Sequence, residues 1–346
     1  MTGLTGGAPG GRAGILRRTL PWVRRWGISV ASLLGGALTL FVFRRGIERI
    51  GWMIGSLLLL WLLFAAVAQV RGTLLASERR THRLVLLAAD YTIQTLYHGI
   101  LLFLLPAYWA STTLTARNAV FLAVLVLLAL LTTFDPWYRA LVLPRPWLGA
   151  GLFLVSTFGA LNLALPLVGV PPHVALLLAA WTACVALTPA VVRARRWTWL
   201  EAFGAMSLAG VAAAALVYGG RGWIPPAPLF LARATLAWNV ESVERLEPVR
   251  GPISAGALRE RGLVAYTAIH APAGLTQAVE HRWMHEGRLV NAVPLAPVQG
   301  GRREGFRTWS RKTAWPADPA GRWSVDVVTS WGQLIGRVTF RVQRDA

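Results

Sequence analysis

Long apolar runs and short alternating segments divide the chain into two parts. In the first part, apolar runs alternate with Arg-bearing loops, and each run approaches or exceeds the roughly 20 residues that a helix needs to cross a bilayer. Seven runs have this character, at residues 26–43, 50–70, 84–109, 118–134, 147–170, 173–192 and 200–218. The pattern predicts an all-α membrane bundle of about seven transmembrane helices over residues 26–218.

A different pattern follows a breaker-rich linker at residues 219–231. From residue 232 to residue 346, apolar and polar positions alternate in short segments, as they do along half-buried strands. Strands are predicted at residues 235–247, 263–270, 278–286, 289–298, 305–315, 322–330 and 334–343. Seven short strands over about 110 residues are typical of an all-β sandwich of immunoglobulin-like size. An open barrel is the alternative.

The last two predicted strands form a hairpin whose register follows from their pattern. A two-residue turn at Trp331-Gly332 makes the facing pairs Trp323–Phe340, Val325–Val338 and Asp326–Arg337. The apolar pairs then share the inner face and the ion pair lies on the outer face, so pattern and register agree. A type I′ turn prefers Asn or Asp at the position of Trp331, so a slightly longer loop is the alternative.

Composition decides which class of protein these patterns indicate. The 346-residue chain is 55% hydrophobic with a mean hydropathy of +0.50, yet its formal net charge is +20. With the charge confined to loops, these values indicate a multi-pass protein whose partner is the lipid bilayer, and no nucleic-acid partner is predicted. Residues 1–25 are predicted to be a disordered basic cytoplasmic tail. No small-x-small cleavage site follows the first apolar run, so no removed signal peptide is predicted.

The distribution of arginines predicts the orientation in the membrane. With the N-terminus in the cytoplasm, the inner tail and loops of the first part carry 14 arginines, and its outer loops carry five. Cytoplasmic loops carry an excess of Lys and Arg, so this orientation satisfies the positive-inside rule. The C-terminal domain is therefore predicted to lie outside the cytoplasm.

A polar stripe distinguishes the third apolar run from the others. Asp90, Gln94 and His98 occur at positions i, i+4 and i+8, and therefore share one face of a helix over two turns. Ionisable side chains are costly in hydrocarbon, so one hypothesis is a proton or ion path through the membrane. The alternative is a hydrogen-bonded stripe that holds the bundle together.

The strand at residues 305–315 carries the candidate binding face of the outer domain. Strand alternation places Arg307, Trp309 and Arg311 on one face. Guanidinium groups beside an indole can bind an anionic or sugar ligand, or can stack on each other as structure. His281 and Trp283, with His285, likewise share one face of an earlier strand and complete the candidate ligand-binding set. The alternative is that these tryptophans are core residues.

Other chemistry finds less support in the sequence. A metal site from His270, His281 and His285 with Glu280 or Glu286 lacks a standard ligand spacing, so no metal site is predicted. Ser310 has no nucleophile elbow and no identifiable acid–base partner. No Gly-rich phosphate loop follows a strand, and Cys184 is the only cysteine. No cofactor and no catalytic residue are predicted.

Several motifs of the C-terminal part resemble those of the bacterial domain of unknown function 2914. They are HRW at His281–Trp283, GFRTWSRK, the G-x-W-x-V-D-V core of GRWSVDVVTS, and the ending GQLIGRVTFRV. The resemblance extends over residues 237–342. The motif positions are His281, Trp283, Arg307, Trp309, Ser310, Lys312, Trp323, Asp326, Gly332, Gly336 and Phe340. The preceding apolar region resembles the family of unknown function 5924. The resemblance implies a bacterial protein and supplies no activity.

Three functional hypotheses follow. The first is a bacterial inner-membrane protein whose external β-domain binds an envelope polysaccharide or a partner protein, in an anchoring, assembly or signalling role. The second is a small transporter or channel that uses the stripe of Asp90, Gln94 and His98. The third is an envelope enzyme with the His- and Glu-bearing strand as its site.

Overall fold

The chain folds into a helical region followed by a β-rich region, as the patterns predict. The structure, a computed structural model, describes residues 48–75, 79–240 and 246–345. Two expectations, the tail at residues 1–25 and the first apolar run at residues 26–43, lie outside the described residues.

Seven helices make up most of the described helical region, and their bounds follow the apolar runs. They are α1 (Glu48–Leu75), α2 (Arg80–Ala110), α3 (Ala119–Thr133), α4 (Pro146–Leu167), α5 (Pro172–Val185), α6 (Thr188–Arg195) and α7 (Trp199–Gly219). Each of α4, α5 and α6 has a proline in its first turn, where the missing N–H removes no helical hydrogen bond. Helix α7 begins at a capping box formed by Thr198 and Glu201.

The number of membrane spans is only partly supported. Four described segments are long and apolar enough to cross a membrane, namely Ile54–Arg71, Pro146–Leu167, Pro172–Arg195 and Trp199–Gly219. Helix α3 and the short helical segment after it, Asp135–Val142, form a fifth candidate, bent by 94°. Helix α2 is 31 residues long but is not among these candidates, and it carries the polar stripe and a basic first turn. The prediction of seven spans is therefore not confirmed, and the described residues contain four or five candidates.

Close backbone packing joins the last two long helices. A Cβ atom on Gly210 of α7 would lie only 2.8 Å from Trp181 Cδ1 and 3.0 Å from the Trp181 carbonyl oxygen. Only glycine therefore fits where α7 crosses α5, as is common between membrane helices.

The β-rich region consists of two main sheets and a two-stranded ribbon. Its strands are β1 (Phe230–Val240), β2 (Leu246–Pro248), β3 (Ile253–Ser254), β4 (Leu263–His270), β5 (Thr276–Gln277), β6 (Val279–His285), β7 (Arg288–Pro294), β8 (Val298–Gln299), β9 (Phe306–Lys312), β10 (Gly321–Thr329) and β11 (Leu334–Gln343). The four-stranded sheet has the order β2-β1-β4-β9, and the five-stranded sheet has the order β3-β11-β10-β6-β7. Strands β5 and β8 form the ribbon, and helix α8 (Ala255–Arg261) follows β3.

Most predicted strands are present with small shifts at their ends. Strand β1 begins at Phe230, inside the predicted linker, and the predicted strand at residues 289–298 is divided into β7 and β8. Helix α8 was not expected from the alternating pattern. Side chains of the two sheets share a core that includes Ala265 of β4 and Trp323 and Val325 of β10, all fully buried.

The hairpin register and the Asp326–Arg337 pair are confirmed, and the turn is the longer of the two alternatives. Trp323 faces Phe340, Val325 faces Val338 and Asp326 faces Arg337. A bulge follows Val327, and the strands join through three residues that end at Gly332, which has a φ of +84°. A type I turn followed by a left-handed residue produces this geometry. Asp326 is buried, and its carboxylate accepts two 2.6 Å bonds from the half-buried Arg337.

The tip of this hairpin, residues 330–334, contacts the helical region. The partners precede α3, begin α5 and follow α7, so they lie at one end of the bundle. The contacts are Asn118 Nδ2 to Leu334 O at 3.3 Å, Gln333 Nε2 to Ile224 O at 3.3 Å, Arg221 Nε to Trp331 O, and a stack of His173 on Trp331 with centroids 4.4 Å apart. A single loop thus joins the β-rich region to the ends of three helices.

Candidate functional site

Strand β9 has the predicted two faces. Thr308, Ser310 and Lys312 are buried, whereas Trp309 is 44% exposed and Arg311 is exposed. Arg307, which is half-buried, shares the outer face with Trp309 and Arg311. The three candidate side chains therefore emerge together, at the edge of the four-stranded sheet.

Neighbouring strands extend this outer face. Across the sheet Thr235 pairs with Tyr266 and Tyr266 with Trp309, while Arg233 pairs with Ala268 and Ala268 with Arg307. A groove of ≈ 480 Å³ lies over these residues. Its lining is formed by Arg233, Thr235, Leu246, Pro248, Tyr266, Ala268, Glu304 and Arg307.

The cations of this face differ in what they contact. The Arg307 guanidinium forms an ion pair with the exposed carboxylate of Glu304. Arg311 donates a 3.0 Å bond to the carbonyl of Arg261. Arg233 is exposed, and its guanidinium has no ion pair or hydrogen bond with any described residue. It is therefore the cation of the groove that is most available to a ligand.

His281 and Trp283 lie on the inner side of the other sheet. Both are 0% exposed, and Ser310 connects them to β9. Trp283 Nε1 donates to Ser310 Oγ at 3.1 Å, and His281 Nδ1 lies 2.8 Å from the same oxygen. The five candidate ligand-binding residues thus do not form one surface. Three are on the outer face, and two are buried between the sheets.

The buried network determines the protonation of His281. Its Nε2 lies 3.0 Å from Thr267 Oγ1, whose hydroxyl can donate to the Thr308 carbonyl at 3.4 Å. Every bond is made if the neutral ring donates from Nε2 and accepts at Nδ1 from Ser310. Burial accordingly lowers the pKa of His281 from 6.5 to about 4.

Ser310 has an imidazole neighbour that the sequence did not reveal. A hydroxyl within 2.8 Å of an imidazole nitrogen is the arrangement of a nucleophile and its base. Here Ser310 is 4% exposed and His281 is 0% exposed, and Thr267 takes the place of an orienting carboxylate. A substrate cannot reach the hydroxyl in this structure, so the pair fits a structural role.

The other histidines of the conceivable metal set lie apart. His270 stacks on Phe230 at 4.6 Å, and His285 stacks on Trp323 at 4.4 Å. Across the parts of the chain that the structure describes, no three His, Cys, Asp or Glu side chains are placed to hold a metal ion.

Each member of the polar stripe on α2 contacts another helix or the bend after α3. Asp90 accepts a 3.2 Å bond from Arg71 of α1. Gln94 donates to the Thr132 carbonyl at 3.0 Å and to Asp135 at 2.7 Å. His98 Nδ1 lies 2.9 Å from Thr133 Oγ1, at the end of α3. The stripe therefore fits the geometry of a connector between α1, α2 and the 94° bend.

A second polar cluster lies farther along α2 and is separate from the stripe. Asn162 donates to the Tyr108 hydroxyl at 2.9 Å, and that hydroxyl donates to the Gly159 carbonyl at 3.1 Å. Leu101 and Leu104, both 0% exposed, lie on α2 between this cluster and His98. These apolar side chains interrupt any polar route along this face of α2.

Sequence reasoning missed several partners of the predicted residues. Arg233 and Tyr266 complete the outer face, and Arg71 and Asp135 pair with the stripe. Alternation continued two residues upstream of the predicted strand start would have included Arg233. Arg71 and Asp135 are close to the ends of apolar runs, but the pattern carries no signal for which helix they meet.

Comparison with known protein families shows which family matches the chain. A family described as a family of unknown function (DUF5924) matches residues 14–265. The chain belongs to the DUF5924 family. A second match, to a protein of unknown function (DUF2914), covers residues 276–342 of this DUF5924 protein. The resemblance to both families is confirmed. No curated protein and no solved structure matches the chain.

The two family matches meet inside the β-rich region of this DUF5924 protein. The first match continues through β1, β2 and α8 and ends in β4. The second begins at residue 276 rather than at the expected residue 237. Hence the outer face described above draws on both matches, with Arg233 in the first and Arg307 in the second.

Proposed function

We propose that this protein is a multi-pass protein of the bacterial inner membrane that binds an anionic envelope polysaccharide outside the cytoplasm. In this proposal the N-terminus is cytoplasmic, about seven helices cross the membrane, and the two main β-sheets pack as a periplasmic sandwich. The binding site is the outer face of the four-stranded sheet. The ligand attaches the domain to the envelope, and the helices anchor it.

The groove beside Arg233 and Arg307 is the observation that carries the proposal. Arg233 and Arg307 both line it. Tyr266, which also lines it, pairs across the sheet with Trp309, whose side chain is 44% exposed. Guanidinium forks bind carboxylates and phosphates, and an exposed indole can stack on a sugar ring. Glu304 already forms an ion pair with the Arg307 guanidinium, so a ligand carboxylate would replace Glu304 or share the guanidinium with it.

The contacts of the hairpin tip agree with the proposed alternation of inner and outer loops. In the arrangement with 14 inner arginines, the loops that meet residues 330–334 are all outer loops. The β-rich region packs against that end of the bundle. The geometry groups these loops at one end of the bundle, and the positive-inside rule assigns that end to the outer side in this proposal.

Binding of defined polyanions tests the proposal. Polygalacturonate and polyphosphate are offered to the full-length protein in detergent, and retention is compared between the wild type and Arg233→Ala with Arg307→Ala. We expect the double variant to lose about tenfold or more in affinity, since each charge-assisted contact contributes roughly 1.5–3 kcal/mol. Arg288→Ala, an exposed arginine on β7 of the other sheet, is the matched control.

The dependence on salt and the choice of probe distinguish the possible outcomes of this test. Binding by exposed arginines should weaken as ionic strength rises. A double variant that binds as well as the wild type at low salt would exclude this face as the site. Failure of both polymers, together with capture of an acidic protein that Arg233→Ala abolishes, would assign the face to a partner protein instead.

A further inference from the structure

Lys312 is the only lysine in a chain with 34 arginines, and it is buried. It ends strand β9 on the inner face, opposite Leu263 of β4, and is 5% exposed. A guanidinium stays charged in proteins, whereas an ammonium is a compact point charge whose pKa shifts readily on burial. Among the described Arg and Lys residues of this domain, the one that is buried as a residue is thus of the kind whose pKa can respond to its surroundings.

The surroundings of the ammonium group are aromatic. Lys312 Nζ lies 5.4 Å from the ring centroid of Trp315, which packs edge-on against Trp283 and Trp323 at 6.0 Å and 5.0 Å. Asp318, the first carboxylate after Lys312 in the sequence, pairs with Arg344. Among the described residues, none forms an ion pair or hydrogen bond with Lys312 Nζ.

The ammonium has no protein acceptor among the described residues, and its nitrogen, which is not among the fully buried side-chain atoms, still touches solvent. Partial burial lowers the pKa of Lys312. A second donor beside it also lacks an acceptor, because Trp315 Nε1 is buried without a hydrogen-bond partner. Two neighbouring donors without acceptors indicate a place for a ligand that carries acceptor oxygens.

We propose that Lys312 and Trp315 form a second binding site, which takes an oxyanion such as a carboxylate or a phosphate group. The oxyanion pairs with the Lys312 ammonium and accepts from the Trp315 indole. The segment from Thr313 to Ala320 has no helix or strand and carries Trp315, so its movement admits the ligand. This site is on the opposite face of β9 from Arg307 and is independent of the proposed polysaccharide site.

The single lysine makes the test specific. Full-length protein in detergent is treated with an amine acetylating reagent, and acetylation of the peptide containing Lys312 is followed by mass spectrometry. The reaction is run in sodium chloride, sodium acetate or sodium phosphate of equal ionic strength. At ten times its Kd an oxyanion should slow acetylation about tenfold, because only about a tenth of the sites is then free. Acetate and phosphate distinguish the two ligand chemistries.

Two variants serve as controls for this reaction. Arg288→Lys supplies an exposed lysine in the same molecule, and its acetylation should not respond to the anion. Arg233→Ala with Arg307→Ala should leave the protection of Lys312 intact, which separates this site from the outer groove. Loss of protection in that double variant would assign the effect to the groove and overturn the proposal.

A second measurement covers variants of Lys312 itself. Lys312→Met keeps the length of the side chain and removes the charge. The oxyanion that protects Lys312 should raise the melting temperature of the wild type and leave that of Lys312→Met unchanged. Equal acetylation of Lys312 in chloride, acetate and phosphate, whether fast or slow, would show that the ammonium is a structural cation and would refute the site.

Discussion

Trp323 and Trp309 are the same residue type in different environments. Trp323 of β10 is 0% exposed, stacks on Phe340 with ring centroids 6.2 Å apart, and donates to the Pro319 carbonyl at 2.7 Å. Trp309 of β9 is 44% exposed on the outer face. Deleting a buried indole leaves a cavity, whereas deleting an exposed one removes mainly surface.

We therefore expect unequal effects of alanine at these two positions. Trp323→Ala should lower the unfolding free energy of the β-rich region by about 3–5 kcal/mol. Trp309→Ala should change it by less than about 1 kcal/mol. Hydrogen exchange of β6 and β10 in the full-length protein measures both values. A near-neutral Trp323→Ala would contradict the placement of this ring in the core.

His281 should make the stability of the β-rich region depend on pH. The folded pKa is lowered by burial to about 4, whereas the unfolded chain keeps the ordinary value of 6.5. Between these values the unfolded state binds a proton that the folded state does not bind. Stability is therefore complete above pH 6.5 and decreases as the pH falls through this window, by about 3 kcal/mol in total.

His281→Gln provides the comparison for this pH effect. Glutamine can hydrogen-bond to Ser310 or Thr267 but does not titrate. The difference between wild type and variant isolates the histidine, since carboxylates contribute equally to both proteins. We expect the wild type to lose more stability than the variant between pH 6.5 and pH 4. Parallel curves would mean that His281 is protonated in the folded state or reaches water.

At the scale of elements, the stripe on α2 stabilises the bend that follows α3. The bend leaves carbonyl groups without helical partners, and Gln94 donates to one of them and to Asp135. Unsatisfied polar groups are costly where water is excluded. Asp90 and His98 extend the same stripe toward α1 and toward the end of α3.

Replacing Gln94 tests this connector. Gln94→Leu should reduce the stability of the helical region in detergent by about 1–3 kcal/mol, because buried acceptors lose their donor. Thr95→Val is the control, since the Thr95 hydroxyl is exposed and bonds to its own helix at Tyr91. Thermal melts in detergent compare the two variants. Equal stability of Gln94→Leu and wild type would contradict the structural role.

The ion-path hypothesis for the same stripe makes a different prediction, which concerns proton flux. Asp90→Asn and His98→Gln preserve shape and hydrogen bonding but remove titration. A real path would lose proton flux in proteoliposomes with either change, at an unchanged amount of protein. The apolar side chains of Leu101 and Leu104 lead us to expect no flux in the wild type.

At the scale of the whole molecule, the hairpin tip sets how the two regions meet. Asn118 and Gln333 are almost completely buried there and bond across the junction. These polar contacts hold the β-rich region against one end of the bundle. Whichever side of the membrane that end faces, the β-rich region faces it too.

The proposed orientation predicts the outcome of reporter fusions. A reporter that is active only outside the cytoplasm should give signal when fused after Ala346 and no signal when fused after Arg196. The excess of arginine on the inner side provides the physical reason. The reverse pattern would place the β-rich region in the cytoplasm and refute the proposed envelope ligand.

Periodicity alone determined the division into helices and strands, the face of β9 and the register of the last hairpin. Side-chain periods of 3.6 and 2 are local properties, so they can be inferred from neighbouring residues. The pattern could not choose between a two-residue turn and the longer loop, because the bulge after Val327 compensates the extra residue and leaves the pairs farther from the turn unchanged.

Only the tertiary structure decided which of those faces meet. Periodicity placed His281 and Trp283 on one face, but the packing of the sheets buries that face against Ser310. It also brought Arg71 to Asp90 and Arg233 to the groove of Arg307. These pairs are far apart in the chain, and no local pattern encodes a distance between separate elements. The same reason left Lys312 undistinguished until its burial against Trp315 was visible.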